Sequence, residues 1–564
     1  MNQLIECVPN FSEGNNIEII NQIADAIKSV QGVKLCDIDP GKTTNRTVFT
    51  FIGAPEPVCE AAFRAVKKAA ELIDMSKHHG EHPRFGATDV LPLIPIKNIT
   101  IDEVVVYARQ LGKRIGDELG IPGYFYEFAC TEEKRRNLAA CRAGEYEELP
   151  KKLTNPDWKP DFGPAEFTEI ARKTGAVAVS ARNFLIAYNV NLNTTSTRWA
   201  NAIAFDIREK GHIKRESNPL TGKIVKDADG NTVYTPGMLK AVKGIGWYIK
   251  EYGIAQLSFN LTDTTVTPLH QLFEASCERA AVRGIRVTGS ELVGMVPLQI
   301  MLDTGRYFLK KQHRSIGVSD EEIIKIAVRS LGLDDLTPFN PKKKIIEYQL
   351  EEHDEKRLVD MKLHEFIKEI ASDSPAPGGG SVSACIGALG VSLGMMAANL
   401  SAHKLGWEKR WEEFSNLADT GKALQEKLMK LIDEDTNAYK LVMETYKLPK
   451  STDIEKQNRH DAIQKAMKYA IEIQYRVMET AVEAMKMLKT VTEIGNPNAA
   501  SDAGVGALTL RAAVMGAGLN VKTNASGLED KVLGDEIIEE AEQIERKGDV
   551  LEKEIVKIAT SKFG

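Results

Sequence analysis

Two rhythms of apolar and polar positions take turns through the first half of the chain. Period-two alternation over residues 4–8, 33–38, 47–52 and 90–94 predicts strands, and helical periodicity over 16–29 and 56–73 predicts helices. The resulting order, βαββαβ, is that of a split-βαβ, ferredoxin-like layer. A further helix and strand carry the pattern to about residue 127. The order then repeats. A strand over 177–191 leads to a helix over 196–210, and a hairpin pairs 244–250 with 255–261 around Gly253. A helix over 268–283 and a strand over 287–296 complete the second unit. Two units with one element order point to duplicated subdomains, although no residue-level repeat is visible. Within the second unit, residues 213–236 form an inserted polar segment in which Asp229-Gly230 reads as a hairpin turn.

Past Leu333 the rhythm changes. Pro338, Pro341 and the run Lys342-Lys343-Lys344 open a polar linker, and from Met361 onward the pattern is helical. Two segments, 411–446 and 453–493, are long and amphipathic, as in a helical bundle whose core is commonly completed in an oligomer. The predicted fold is therefore an α/β (α+β) N-terminal half of two ferredoxin-like subdomains, 1–178 and 179–333. A linker over 334–360 and an all-α helical-bundle domain over 361–564 follow. Residues 381–402 carry no formal charge, but they are rich in Ala, Gly, Ser and Met. With Gly387, Gly390 and Gly394 at helical spacing, they read as a buried helix that admits close approach of another, not as a membrane span.

Composition narrows the class. The 564 residues are 43% hydrophobic and 27% charged, as in an ordinary soluble protein, with enough length for several cores. A net charge of −6 with both signs interspersed argues against nonspecific nucleic-acid binding. Residues 1–6 lack a basic region followed by an apolar one, so no signal peptide is expected. Seven scattered cysteines without a C-x-x-C suit reduced thiols in a cytoplasm.

The densest chemistry is the run His78-His79-Gly80-Glu81-His82-Pro83-Arg84-Phe85-Gly86, which holds three of the chain's 10 histidines. His78, Glu81 and His82 fit the H-x-x-E-H spacing of a zinc-peptidase class, but that template needs an unbroken helix. Gly80 inside the motif and Pro83 just after it oppose one. Acid–base catalysis by an imidazole is the favoured reading; a zinc site and a structural loop with incidental histidines are the alternatives.

Along 411–446 an apolar stripe runs Leu417, Gly421, Leu424, Leu428, Leu431, Asp435, Ala438, Val442 in alternating steps of four and three. Asp435 thus falls on a core-facing position, and Asp433 lies on nearly the opposite side. A carboxyl on an apolar seam is either satisfied by a partner helix or held protonated as a general acid. Before the small-residue helix sits Pro375-Ala-Pro-Gly-Gly-Gly-Ser381, whose Gly378, Gly379 and Gly380 lead into a helix N-terminus. The segment either cradles a carboxylate or phosphate or forms a plain tight turn. Polar clusters at 8–14, 37–39, 45–47 and 161–164 lie at strand ends or in loops, where sites are usually built.

Taken together, these strings resemble known families. Val8-Pro-Asn-Phe-Ser-Glu-Gly14, Gly80-Glu-His-Pro-Arg84, Asp161-Phe-Gly-Pro164 and Gly244-Ile-Gly-Trp-Tyr248 resemble the glutamate formimidoyltransferase family. Ala376-Pro-Gly-Gly-Gly-Ser381, Asp433-Glu-Asp435 and Ser501-Asp502 resemble the formimidoyltetrahydrofolate cyclodeaminase family. Both in this order resemble the bifunctional formimidoyltransferase-cyclodeaminases of histidine breakdown, over nearly the whole chain. The segments 213–236 and 345–360 depart from the family pattern without touching a matched motif.

The resemblance implies transfer of a formimidoyl group from N-formimidoyl-L-glutamate to N5 of tetrahydrofolate. Closure onto N10 with release of ammonia then gives 5,10-methenyltetrahydrofolate. The family's catalytic histidine maps onto His82 and its cyclodeaminase acid onto Asp435. Asp39 is the candidate to stabilise amidinium charge, and Arg84 to bind a substrate carboxylate. The family's folate segment carries over to Gly163, Pro164, Ala165, Glu166, Phe167, Thr168, Glu169, Ile170, Ala171 and Arg172. Gly378, Gly379 and Gly380 are expected to bind substrate in the helical half. Tetrahydrofolate, in polyglutamylated form, is the implied co-substrate. Neither step changes oxidation state, so no redox cofactor is expected, and the proton transfers need no metal. The family assembles as homo-octamers, so a homo-oligomer is expected. A folate-binding or scaffolding protein that keeps one activity or neither is the alternative.

Overall fold

The computed structural model describes residues 3–80, 83–218, 221–350 and 357–563. The chain divides into two compact units, Met1–Thr304 with Ala327–Glu351, and Gly305–Ile326 with Glu352–Gly564. The first is sheet-rich and the second helical.

The sheet-rich unit begins with strands β1 (Leu4–Cys7), β2 (Asn10–Phe11), β3 (Val33–Gly41), β4 (Arg46–Gly53), β5 (Thr88–Lys97), β6 (Gly123–Glu127) and β7 (Val177–Ala181). They form a seven-stranded sheet in which β1 and β2 lie in line between β4 and β5, antiparallel to both, and β3 flanks β4. Beyond β5 come β7 and then β6, joined in parallel. Alternation decides the faces. Ile5 and Cys7, Phe49 and Phe51, Leu91 and Leu93, and Val177 and Val179 are buried against helices Ile17–Lys28, Pro55–Leu72 and Ile101–Leu119. The intervening residues Glu6, Thr50 and Ser180 point to the other face and are also buried. Asn16 caps the first helix, its side chain accepting from the Glu18 and Ile19 amides.

Strands β8 (Ile186–Leu192), β9 (His212–Ile213), β10 (Tyr234–Thr235), β11 (Val242–Ile249), β12 (Ile254–Leu261) and β13 (Val287–Val293) follow. A four-stranded antiparallel sheet runs in the order β11, β12, β8, β13. Its connectivity repeats that of β3, β4, β1 and β5 in the first sheet. The strand expected over 177–191 is in fact two. β7 completes the first sheet and β8 starts the second, with residues 182–185 between them. The inserted segment is closed by the β9–β10 pair. Its turn is held by the Asp227 carboxylate, which accepts from the Asp229 and Asn231 amides, as the Asp-Gly pair predicts.

The helical unit is built from helices Gly379–Ala402, Trp411–Tyr446, Asp453–Ile494, Ala500–Ser526 and Lys531–Thr560 around one apolar core. Gly305–Ile326 packs with them: Ile316 N–H donates to Ser415 Oγ (3.0 Å), and Lys422 is paired with Asp320. Gly390 and Gly506 let Gly379–Ala402 and Ala500–Ser526 approach until a Cβ on Gly506 would sit 3.0 Å from the Gly390 carbonyl. Both helices are long and apolar enough to cross a membrane by composition, yet much of each is buried in this bundle.

Candidate active sites

In the sheet-rich unit three of the polar motifs converge. The Arg46 guanidinium reaches across the sheet, donating from Nε to Asn10 Oδ1 (2.9 Å) and pairing with Asp89, which is wholly buried. Asp89 also accepts from the Phe85 amide (3.0 Å) and from Arg142 (2.6 Å). Ser12 Oγ donates to the Gly86 carbonyl (2.8 Å), and Asn45 joins the two remaining strings. Its Oδ1 accepts from Gly14 N–H (3.0 Å) and its Nδ2 donates to the His79 carbonyl (2.8 Å). Glu13, Asn15, Asn16 and Asn45 line an open depression beside this junction. Residues 8–14 and 45–47 and the described parts of the histidine run, 78–80 and 83–86, separate in sequence, are thus one assembly.

Glu81 and His82 lie outside the described residues. His78 follows the short turn Met75–Lys77 with an extended backbone (φ −81°, ψ 133°), so the helix required by the zinc template is not formed there. Its Nε2 lies 2.9 Å from the Asn45 carbonyl, and its Nδ1 accepts from Arg84 Nε at 3.4 Å. Burial is the main cause of a pKa below the usual histidine value, keeping this ring neutral. Arg84 is buried too and is held by acidic partners, with Glu147 at 2.9 Å and Glu145 at 3.1 Å. The Glu147 hydrogen bond raises its pKa further.

Asp39 sits elsewhere on the same sheet. It stands opposite Val48, and Asn10 stands opposite Val48 from the other side, so Asp39 is two strand spacings, about 10 Å, from Asn10. Its Oδ2 accepts from Gly294 N–H (3.2 Å) at the end of β13, and Lys344 lies 4.0 Å away, having its closer partner in Asp37 (2.8 Å). Glu291, from β13, is a second carboxyl in this neighbourhood. Burial raises its pKa, and the nearby charge of Asp39 adds to the rise.

The segment expected to meet folate is anchored at both ends. Asp161 accepts from the Phe125 amide (2.8 Å) and from Arg135 (2.5 Å), and Gly163 has φ +74°, where a Cβ would overlap the Ile121 carbonyl. Thr168 caps the short helix Glu169–Thr174. Arg172 donates to Ser76 Oγ (3.1 Å), so the segment abuts the turn that leads into His78.

In the helical unit much of the stripe is buried: Gly421, Leu424, Leu428, Leu431 and Ala438 are, whereas Leu417, Val442 and Asp435, between Leu431 and Ala438, are half-buried. Asp435 Oδ2 accepts from Ser381 Oγ (2.8 Å), and Oδ1 accepts from Gln474 Nε2 (2.5 Å). Burial raises its pKa above the usual carboxylate value, and the hydrogen bonds from Ser381 and Gln474 oppose that rise. The helix Gly379–Ala402 starts beside it with Gly378 as N-cap and no side-chain cap. Asp433, two residues from Asp435, is not a free surface group. It is half-buried and accepts from the Leu358 amide (2.6 Å), which fixes the turn Leu358–Asp360.

Several participants escaped the sequence reading: Glu145, Glu147, Asp89 and Arg142 around the histidine run, and Gln474 beside Asp435. The signal for Gln474 was present. It falls on the stripe Ile471, Gln474, Met478, Ala481, Met485, Leu488, stepped by three and four like the stripe that selects Asp435.

Comparison with known proteins resolves both halves. Residues 4–182 match the "Formiminotransferase domain, N-terminal subdomain", residues 187–351 the "Formiminotransferase domain", and residues 362–543 the "Formiminotransferase-cyclodeaminase" family. A formimidoyltransferase-cyclodeaminase from Gallus gallus is 43% identical over 551 residues, covering 96% of this chain and 97% of that protein. The chain belongs to the formimidoyltransferase-cyclodeaminase family. Each half of this family member also has relatives of its own. A glutamate formimidoyltransferase from Thermoplasma acidophilum is 41% identical over 54% of this chain and 92% of its own length. A methenyltetrahydrofolate cyclohydrolase from Methylorubrum extorquens is 34% identical over 36% of this chain and 96% of its own.

Proposed function

We propose that this chain carries out two consecutive steps on one folate. The sheet-rich half transfers the formimidoyl group of N-formimidoyl-L-glutamate to N5 of tetrahydrofolate. The helical half closes that group onto N10, releasing ammonia and leaving 5,10-methenyltetrahydrofolate. The end-to-end match to a relative named for both activities carries this reading. The half-buried, hydrogen-bonded Asp435 supports it, because loss of ammonia needs an acid beside the leaving nitrogen.

In the transfer step N5 must lose a proton and the departing glutamate nitrogen must gain one. A single imidazole titrating near neutrality can do both, and we assign that role to His82. Asp39 is proposed to face the amidinium of the substrate. For Arg84 to bind a substrate carboxylate, that carboxylate has to displace Glu145 or Glu147. Gly163 to Arg172 is proposed as the folate contact, and the free amides of Gly379 and Gly380 as a cradle for its anionic part.

The shared strand order of the two sheets supports a ferredoxin-like assignment for both subdomains. Their boundary is best drawn after Ala181, where β7 ends, a few residues beyond the division at 178. Homo-oligomeric assembly and a polyglutamylated co-substrate belong to the same proposal. The deciding experiment supplies formimidoylglutamate and tetrahydrofolate to the full chain and follows methenyltetrahydrofolate absorbance with ammonia release. Absence of both products leaves a folate-binding protein in place of an enzyme.

A further inference from the structure

The two side chains that touch Asp435, Ser381 and Gln474, share one chemical property: each can either give or accept a hydrogen bond, whereas the Ser381 backbone amide, which also bonds the carboxyl, can only give. Ser381 is fully buried, and its Oγ lies 2.8 Å from Asp435 Oδ2, 3.0 Å from the Ile432 carbonyl and 3.1 Å from Thr436 Oγ1. A hydroxyl has one proton and two lone pairs, so the Ser381 proton has a choice between the carboxyl and the carbonyl. Gln474 is 1% exposed. Its Nε2 donates to Asp435 Oδ1, and its Oε1 is buried with no partner among the described residues. An amide can turn either end toward the same neighbour. By contrast, an Arg or Lys at these positions could only donate and would lock the carboxyl in its ionised form.

Charged groups stand back from this pocket. Residues 379–402 contain none. On the Asp453–Ile494 helix Arg476 is paired with Glu434 (2.8 Å). In the turn Leu358–Asp360, Asp360 is paired with Arg357, and Asp433 faces the Leu358 amide.

We propose that Ser381 and Gln474 are positioning residues that hold Asp435 in place in both of its protonation states. With Asp435 protonated, Ser381 donates to the Ile432 carbonyl and accepts from the carboxyl, or Gln474 accepts through Oε1. With Asp435 ionised, both side chains turn their protons toward it. The inference rests on the reading of Asp435 as the ring-closing acid. In that step a bond forms between N10 and the formimidoyl carbon, and the bond from that carbon to the terminal nitrogen breaks. The terminal nitrogen leaves as ammonia carrying its own hydrogen, the one lost by N10, and the one given by Asp435. Asp435 then recovers a proton from solvent. A cradle of fixed donors would resist that cycle at its first half, and an apolar one at its second.

The test follows ring closure of supplied 5-formimidoyltetrahydrofolate by the full chain across pH. A general acid must be protonated, so the rate falls as pH rises through the acid's pKa. Ser381→Ala removes a donor to the ionised form, which raises that pKa and moves the fall to higher pH, by roughly half a unit or more. Gln474→Met, of similar length, is expected to move it in the same direction. Both should lower kcat by about ten-fold or more with little change in KM. Ser381→Thr, which keeps the hydroxyl, should restore the wild-type profile. An unmoved profile in Ser381→Ala, whatever its rate, overturns the proposal and leaves a merely structural serine. Should Gln474→Met fail to fold, Ser381→Ala, which deletes a single oxygen, decides alone. Asp435→Asn separates the two levels. Ring closure surviving in that variant removes the acid reading itself, independently of the cradle.

Discussion

Gly380 lies so close to Asp435 that a Cβ atom there would overlap the carboxyl Oδ1. A Cβ on Gly379, one residue earlier, would meet only Asn520 Nδ2 at an ordinary 3.5 Å. The two glycines therefore do different things. Gly380→Ala should destabilise the helical unit by about 1–3 kcal/mol and suppress ring closure, because the carboxyl must move. Gly379→Val has room beside the protein and should leave thermal stability nearly unchanged, while weakening folate binding if the backbone there meets ligand. Melting temperature and folate affinity of the full-length variants check both. Unchanged affinity in Gly379→Val makes residues 375–381 a connector.

How far the sequence carried this picture depended on whether the information was periodic or convergent. The helix Trp411–Tyr446 was legible, because a stripe stepped by four and three from Leu417 to Val442 repeats through about seven turns and averages out local noise. The same stripe gave Asp435. The strand run over 177–191 was misread because its polar break, Arg182-Asn183, carries no Gly or Pro to mark a turn. The parallel pairing of β7 with β5 and β6 leaves no local trace. Glu147 could not be matched to Arg84 across 63 positions, although the acidic string 145–148 was in plain view. Gln474 is as legible as Asp435, since it too stands on an apolar stripe stepped by three and four, on the second long helix.

His82→Ala should abolish formimidoyl transfer while supplied 5-formimidoyltetrahydrofolate is still closed at the wild-type rate. The motive is the division of the chain into a sheet-rich and a helical unit, each with its own acid–base group. Comparable loss of both activities in a folded variant contradicts separate sites. Loss of transfer on metal chelation alone returns the zinc reading.

Arg84 separates a substrate-binding role from a structural one. Its guanidinium is buried and already bonded to His78, Glu145 and Glu147, so Arg84→Ala should lower the melting temperature of the sheet-rich unit. The cost is of order 1–2 kcal/mol, mostly from the lost packing of the Arg84 side chain, because Glu145 and Glu147 are exposed to water and lose little when unpaired. A pure substrate ligand would instead raise KM for formimidoylglutamate with melting unchanged. Thermal unfolding beside steady-state kinetics distinguishes them.

Glu6 gives the sheet-rich unit a pH dependence of definite sign. Burial on the face of the sheet opposite its helices pushes its pKa up from 4.5 to about 7, partly opposed by Arg182. Above the unfolded value the unfolded chain ionises freely while the folded one does not. Stability from this group is thus complete below about pH 4.5 and is lost as pH rises toward about 7. The rise from 4.5 to about 7 corresponds to about 3 kcal/mol. Glu6→Gln should flatten that slope and leave the unit more stable than wild type at pH 8. Denaturation of both proteins at pH 5 and pH 8 measures it, and parallel slopes would remove Glu6 from the account.

Asp435→Asn should stop ring closure while transfer continues, so that 5-formimidoyltetrahydrofolate accumulates. The cradle accommodates the amide: Gln474 Nε2 can still donate to its oxygen, and Ser381 Oγ can accept from its nitrogen. Folding is therefore retained, and what disappears is the proton that ammonia departure requires. Asp433→Asn is the matched control on the same helix turn. Its amide oxygen can still accept from the Leu358 amide, so the turn Leu358–Asp360 stays docked and ring closure should persist near the wild-type rate. Asp433→Ala, which loses that acceptor, should loosen the turn without the selective loss of ammonia release. Measuring ammonia and the accumulated intermediate for the three variants decides the assignment. Were Asp433→Asn inactive and Asp435→Asn active, the stripe, the buried hydrogen bonds and the family correspondence would all have pointed to the wrong carboxyl.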